Sequence, residues 1–201
     1  MHKGGLYLAL GDSITVSQVT PGDGLYAHKI FRQIGVDYGD IRHVNKGLGG
    51  ASTSDLVSNI RWLTGGMRPD LVTIGVGMND CNSTAANKTT VANYTTNVGI
   101  IIDAIRYRNP KCHIICCTPS GTSDGNRTPT IQQYRDAMVS VAQTKGVDYV
   151  RFESVLPDAQ AATYTGDGVH PNTAGHLQLY NLLYPVVQTG QWLNRLTKAD
   201  Y

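Results

Sequence analysis

Four short runs carry the residue types that acyl transfer needs: Gly11-Asp12-Ser13-Ile14-Thr15, Asn45-Lys46-Gly47-Leu48-Gly49-Gly50, Gly77-Met78-Asn79-Asp80 and Asp167-Gly168-Val169-His170-Pro171. A serine hydroxyl is a poor nucleophile at neutral pH and needs a neighbouring base. Histidine is the side chain whose ordinary pKa suits that task. Asp167 precedes His170 by three residues on one turn. From there it can reach Nδ1 and fix the tautomer, leaving Nε2 for Ser13. A glycine turn supplies backbone N–H donors and Asn79 a side-chain amide, the kinds of donor that hold the oxyanion of an acyl-transfer intermediate. Each run also has a plainer reading. Ser13 is a common helix N-cap type, Asn79 and Asp80 are turn formers, and Asp167-Gly168 is an ordinary turn signal. Four such runs in one chain favour the chemical reading. Asp12 and Asp80 are expected to make structural hydrogen bonds near the site. His176 is expected to pack in a helix or be exposed, and His28, His43 and His113 to be structural or at the surface.

These runs must be positioned, and the pattern between them shows how. Apolar strand-like segments at Leu6–Leu10, Ile41–Val44, Leu71–Val76, His113–Cys117 and Val147–Phe152 alternate with helical ones. The helices are predicted at Leu25–Ile34, Ser52–Leu63, Thr89–Arg108, Ile131–Thr144 and Thr173–Val187. Ser54 or a neighbour should cap the second of them. In the third, Val91, Val98, Ile101, Ile102 and Ile105 form a helical stripe. Pro185 should sit in the frayed end of the last. Such alternation implies a parallel sheet covered on both faces. Ligands of open parallel sheets bind beyond the carboxyl ends of the strands. Three of the four runs follow a strand end directly, and the fourth comes late in the chain.

The composition excludes several classes. The 201 residues suggest one domain spanning 1–201. A net charge of +2 is too small for nucleic-acid binding. No apolar run approaches the ~18 residues of a membrane span, and no signal peptide is visible at the start. Only 16% of residues are charged, against about 25% in typical domains. Thr, Asn and Ser fill the polar surface instead, as in many secreted or particle-associated proteins, which leaves the compartment open. Cys81, Cys112, Cys116 and Cys117 read as buried free thiols. Neither cysteines nor histidines show metal-ligand spacing, so no metal and no cofactor is expected. The nucleophile-elbow pattern G-x-S-x-G is absent around Ser13, as are a P-loop and a complete dinucleotide fingerprint. Asn82, Asn87, Asn93 and Asn126 begin N-x-[ST] triplets, read here as chance in a Thr- and Asn-rich chain.

Taken together, GDSIT, NxGxxG, GxND and DGxHPN resemble the SGNH (GDSL-like) hydrolase family of esterases and lipases. The resemblance spans Gly11 to His176. It implies an α/β fold, a three-layer α/β/α flavodoxin-like sandwich with a five-stranded parallel sheet. It implies Ser13 as nucleophile, His170 as base and Asp167 as its orienter. The oxyanion hole would comprise the N–H of Ser13, the N–H of Gly50 (or of adjacent Gly49) and the Asn79 amide. The expected activity is serine ester hydrolysis of short acyl groups on a carbohydrate or similar small carrier. Pro119–Pro129 and Ser154–Gly166, both polar, would wall an open groove. A lysophospholipase or thioesterase of the same family, and a non-enzymatic carbohydrate-binding module, are the alternatives.

Overall fold

The computed structural model describes residues 4–17 and 20–196. The opening of the chain, read above for a leader, lies partly outside them. The strands are β1 (Gly5–Gly11), β2 (Ile41–Gly47), β3 (Leu71–Gly75), β4 (His113–Cys117) and β5 (Asp148–Val150). They form one parallel sheet in the order β2-β1-β3-β4-β5. All seven residues of β1 are buried, as a central strand covered on both faces requires. Tyr7 fits there because its hydroxyl meets Thr73 Oγ1 at 2.9 Å. The α/β fold expected from the sequence is therefore met.

The chain moves from β1 to β2 in one direction and then back across the sheet through β3, β4 and β5. Right-handed crossovers thus put α2 (Tyr26–Tyr38) and α8 (Thr173–Val187, after the short α7, Ala161–Tyr164) together on one face. The other face carries α3 (Thr53–Ser58), α4 (Ile60–Thr64), α5 (Val91–Arg108) and α6 (Ile131–Lys145). The expected α5 stripe is buried at Val98, Ile101, Ile102 and Ile105, with Tyr94 added and Val91 partly covered. Among the described residues no helix is long and apolar enough to cross a membrane.

Some boundaries differ from the sequence reading. The helix expected over Ser52–Leu63 breaks at Asn59, whose φ of −101° and ψ of 7° leave the helical region. The Asn59 side chain donates to the Asp55 carbonyl at 2.9 Å, a local bond that competes with helix propagation. Ser52, not Ser54, caps α3, in a reciprocal capping box with Asp55. The α2 helix runs on to Tyr38 and stops at Gly39, where φ is +104°. The fifth strand is only three residues long. Phe152 turns away because its N–H donates to Thr118 Oγ1 at 3.0 Å. Pro185 lies inside α8, in its last turn.

Cys81, Cys116 and Cys117 are buried free thiols and Cys112 is half-buried. Burial pushes the Cys81 and Cys116 thiols up to about 12, far from nucleophilic. His43 stacks between Tyr7 and Phe31, and burial, helped by His28, lowers it to about 4. His113 has a partner the sequence did not reveal, Asp148 at 2.8 Å.

Candidate active site

The carboxyl ends of the strands are level. One register row, Gly47–Gly11–Gly75–Cys117–Val150, crosses the sheet. The chain must turn sharply just past it. At Gly11 an added Cβ would lie 2.2 Å from both the Gly75 carbonyl and Thr15 Oγ1, so only glycine permits the approach. Asp12 then caps the short helix α1 (Ser13–Val16), accepting the Ile14 N–H at 2.9 Å. Ser13 is the first residue of that helix and is 4% exposed.

His170 arrives from the far end of the chain. Ser13 Oγ lies 2.8 Å from His170 Nε2, and His170 Nδ1 lies 2.6 Å from Asp167 Oδ2. Asp167 Oδ1 also accepts the backbone N–H groups of Val169 and His170, at 3.0 and 2.8 Å. Partial burial pushes the Asp167 carboxyl up. The His170 and Val169 N–H groups and the His170 ring outweigh it and hold the group below the usual carboxylate range. The turn itself is braced at Gly168. The Gly168 carbonyl accepts from Thr122 Oγ1 at 2.7 Å and the Ser123 N–H at 2.9 Å.

The glycine turn and the Asn79 loop are stitched to the same rim. Asn45 Nδ2 donates to the Thr15 carbonyl at 2.8 Å. Leu48 N–H donates to the Gly11 carbonyl at 2.9 Å, and Ala51 N–H closes the turn onto the Leu48 carbonyl at 3.1 Å. Gly50 takes φ of +73° in this turn, a conformation Gly49 does not adopt. Asn79 Nδ2 gives one hydrogen to the Ala51 carbonyl at 2.9 Å and keeps its second. Among the described residues the N–H groups of Ser13 and Gly50 meet no protein acceptor. Ser13, Gly50, Asn79, Asp167 and His170 are thus carried by loops bonded to one another.

Two buried acids lie beneath this rim. Burial pushes Asp12 up to about 6, against the Ile14 N–H and with help from the nearby Asp80 charge. Asp80 accepts from the Thr53 N–H at 3.0 Å and from Thr89 Oγ1 at 2.7 Å. His176 is buried against Tyr26 and lowered to about 4, chiefly by desolvation. Asp158, another carboxylate of this region, is taken by Arg135 at 2.8 Å and by the Thr122 N–H at 2.9 Å. The Pro119–Pro129 segment is a correction to the groove expectation. It is buried through Thr122 and emerges only from Ser123 onward, so its first half buttresses the Gly168 turn. Arg127 further on donates Nε to the Met78 carbonyl at 2.9 Å and pairs with Asp124. The roles of Thr122, Arg127 and Asn87 carried no sequence signal, because each binds a backbone carbonyl far away in the chain. Among the described residues no group of three or more His, Cys, Asp or Glu forms a candidate metal site.

A parallel α/β sandwich with a serine, histidine and carboxylate at its carboxyl rim defines a serine-hydrolase class of architecture. Residues 9–177 match the model of the GDSL-like lipase/acylhydrolase family. The chain belongs to that family and is an ester hydrolase. Among solved structures it resembles the lipase/acylhydrolase of Enterococcus faecalis, with TM-score 0.80 and 20% identity over 98% of this chain and 100% of that one. It also resembles an acetylxylan esterase of Geobacillus stearothermophilus, with TM-score 0.74 and 23% identity over 92% and 95%. A third is an α/β hydrolase from the metagenome of Lake Arreo, with TM-score 0.76 and 21% identity over 94% and 97%. No curated protein sequence matches significantly.

If Asn79 is an oxyanion donor, Asn79→Ala should lower kcat by ~10²–10³ with the fold intact, the usual cost of losing one such donor. Steady-state kinetics with p-nitrophenyl acetate measures this. An effect under about threefold, well below that range, would leave Asn79 only its bond to Ala51.

Proposed function

We propose that one domain spanning 1–201 hydrolyses short acyl esters, O-acetyl groups on carbohydrate or similar small carriers, with Ser13, His170 and Asp167 as its triad. The observation that carries this reading is the unbroken Ser13–His170–Asp167 relay at 2.8 and 2.6 Å. With Nδ1–H donated to Asp167, Nε2 accepts the Ser13 proton as Oγ attacks the ester carbonyl. The N–H groups of Ser13 and Gly50 and the second Asn79 hydrogen receive the oxyanion. Protonated His170 returns its proton to the leaving alcohol, and an acyl ester of Ser13 remains. Water activated by His170 then releases the acid.

The short-acyl preference has two supports. The exposed part of the neighbouring loop, Ser123–Asp124–Gly125–Asn126, is polar and suits hydroxylated carriers. The Geobacillus stearothermophilus relative is an acetylxylan esterase.

A chain-length series of p-nitrophenyl esters, run beside acetylated xylan and a lysophospholipid, tests the assignment. The kcat/KM should be highest for acetate, fall steeply by octanoate, and accompany acetate release from the xylan. Rates that rise with chain length, together with lysophospholipid turnover, would overturn it.

A further inference from the structure

Asn87 lies outside every motif, in the loop between Asp80 and α5, and its amide spends both hydrogens. Nδ2 donates to the Gly50 carbonyl at 2.9 Å and to Asp55 Oδ2 at 2.6 Å. Asp55 does not need this donor to cap its helix, because the same Oδ2 already accepts the Ser52 N–H at 2.8 Å and Ser52 Oγ at 2.9 Å. The Asn87 loop does not need it as an anchor either. Thr89 Oγ1 binds Asp80 at 2.7 Å, and the Ser83 N–H binds the Asn126 carbonyl at 2.9 Å.

What the bond adds is control of Gly50. A glycine explores positive and negative φ with little penalty, so its N–H keeps one direction only where its surroundings are pinned. On the Ala51 side of Gly50 they are. The Ala51 N–H is held by the Leu48 carbonyl at 3.1 Å and the Ala51 carbonyl by Asn79 at 2.9 Å. Asn87 pins the Gly50 carbonyl on that same side. Among the described residues the Gly50 N–H, like that of Gly49, meets no protein acceptor. Stabilisation of a developing oxyanion depends on donors aimed in advance, with no reorganisation at the moment of reaction.

We propose that Asn87 is a positioning residue for catalysis: by holding the Gly50 carbonyl it aims the Gly50 N–H into the oxyanion hole. This rests on the oxyanion reading given above. Asn87 touches no substrate atom, so its loss should appear in kcat and leave KM within about twofold. A neutral hydrogen bond of this kind corresponds to about a five- to tenfold fall in kcat for Asn87→Ala. Asn87→Asp should fall further, since a carboxylate would face the Gly50 carbonyl and the Asp55 carboxylate with no hydrogen to give.

The experiment measures kcat and KM for p-nitrophenyl acetate, with active sites counted by phosphonate titration. It also measures inhibition by a small alkylboronic acid, whose tetrahedral Ser13 adduct places an oxygen in the same hole. The boronate inhibition constant should rise by the factor that kcat loses. An unchanged kcat overturns the proposal, and so does a lower kcat with unchanged boronate affinity, which would leave Asn87 only a role in folding. Asn87→Leu, close in size to the native residue but without a hydrogen to donate, carries the test if the alanine variant does not fold. Asn79→Ala is run alongside. If it keeps full activity and boronate affinity, the oxyanion reading falls and this inference with it. If it loses both while Asn87→Ala is normal, only the inference falls.

Discussion

Ser13→Ala is expected to reduce ester turnover by roughly 10⁶-fold, the scale on which loss of a triad nucleophile is felt. Without Oγ no acyl-enzyme forms, and water must attack a carbonyl that the oxyanion donors alone polarise. His170→Ala should cost nearly as much, since Ser13 then has no acceptor for its proton. The double variant should be hardly worse than either, because the two residues act as one unit. Ser13 opens a helix, where alanine is well tolerated, so the fold should survive. The check is kcat/KM for p-nitrophenyl acetate in all three variants, with mapping of a serine-directed phosphonate in the wild type. A label on Ser52 or Ser120, or a Ser13→Ala variant within about tenfold of wild type, would contradict the assignment.

Asp167→Asn is expected to fall between wild type and Ser13→Ala, losing about 10²- to 10⁴-fold in kcat. The upper bound is the cost of the same exchange in serine proteases. The amide oxygen can keep the bonds from the Val169 and His170 N–H groups, so the turn should hold its shape. Its NH₂ would meet Nδ1, favouring the tautomer that protonates Nε2 and leaves Ser13 without a base. The Asp167 side chain is 47% exposed. Water can partly replace it there, which pulls the loss below the protease figure. Asp158→Asn is the contrast. Turnover should stay within about threefold of wild type, because Asp158 serves Arg135 and the Thr122 N–H and makes no bond to His170. Its cost belongs to stability, since Arg135 is only 3% exposed and loses its charge partner. Kinetics and thermal unfolding of both variants under one condition decide the matter. A crippled Asp158→Asn beside an active Asp167→Asn would mean the triad is wired differently.

Much of this architecture was legible because a parallel sheet writes itself as unbroken apolar runs. LYLAL, LVTIG and HIICC are buried on both faces, so no polar alternation interrupts them. The residues of the candidate site were legible for a related reason: each stands close behind a strand end or in a turn of distinctive composition. β5 was overextended because Val147 and Phe152 are apolar but belong to the packing around the strand, while Asp148 and Tyr149 within it are exposed. Asn59 was missed because one side-chain bond to Asp55 decides the break, and periodicity does not register a single bond. The bracing residues were out of reach. Thr122 binds Gly168 and Arg127 binds Met78 across 46 and 49 residues of chain. Such pairs exist only once the sheet has brought their loops together.

The separation of Ser13 from His170 is larger still, 157 residues, and it orders events during synthesis. On the ribosome the proposed nucleophile, Ser13, emerges first, the Gly50 and Asn79 loops follow, and the proposed base, His170, comes well after them. On that reading β1, β2 and β3 can pair around a serine that has nothing to take its proton. Hydrolysis through the proposed triad then waits for the Asp167–His170 turn to dock beside α1.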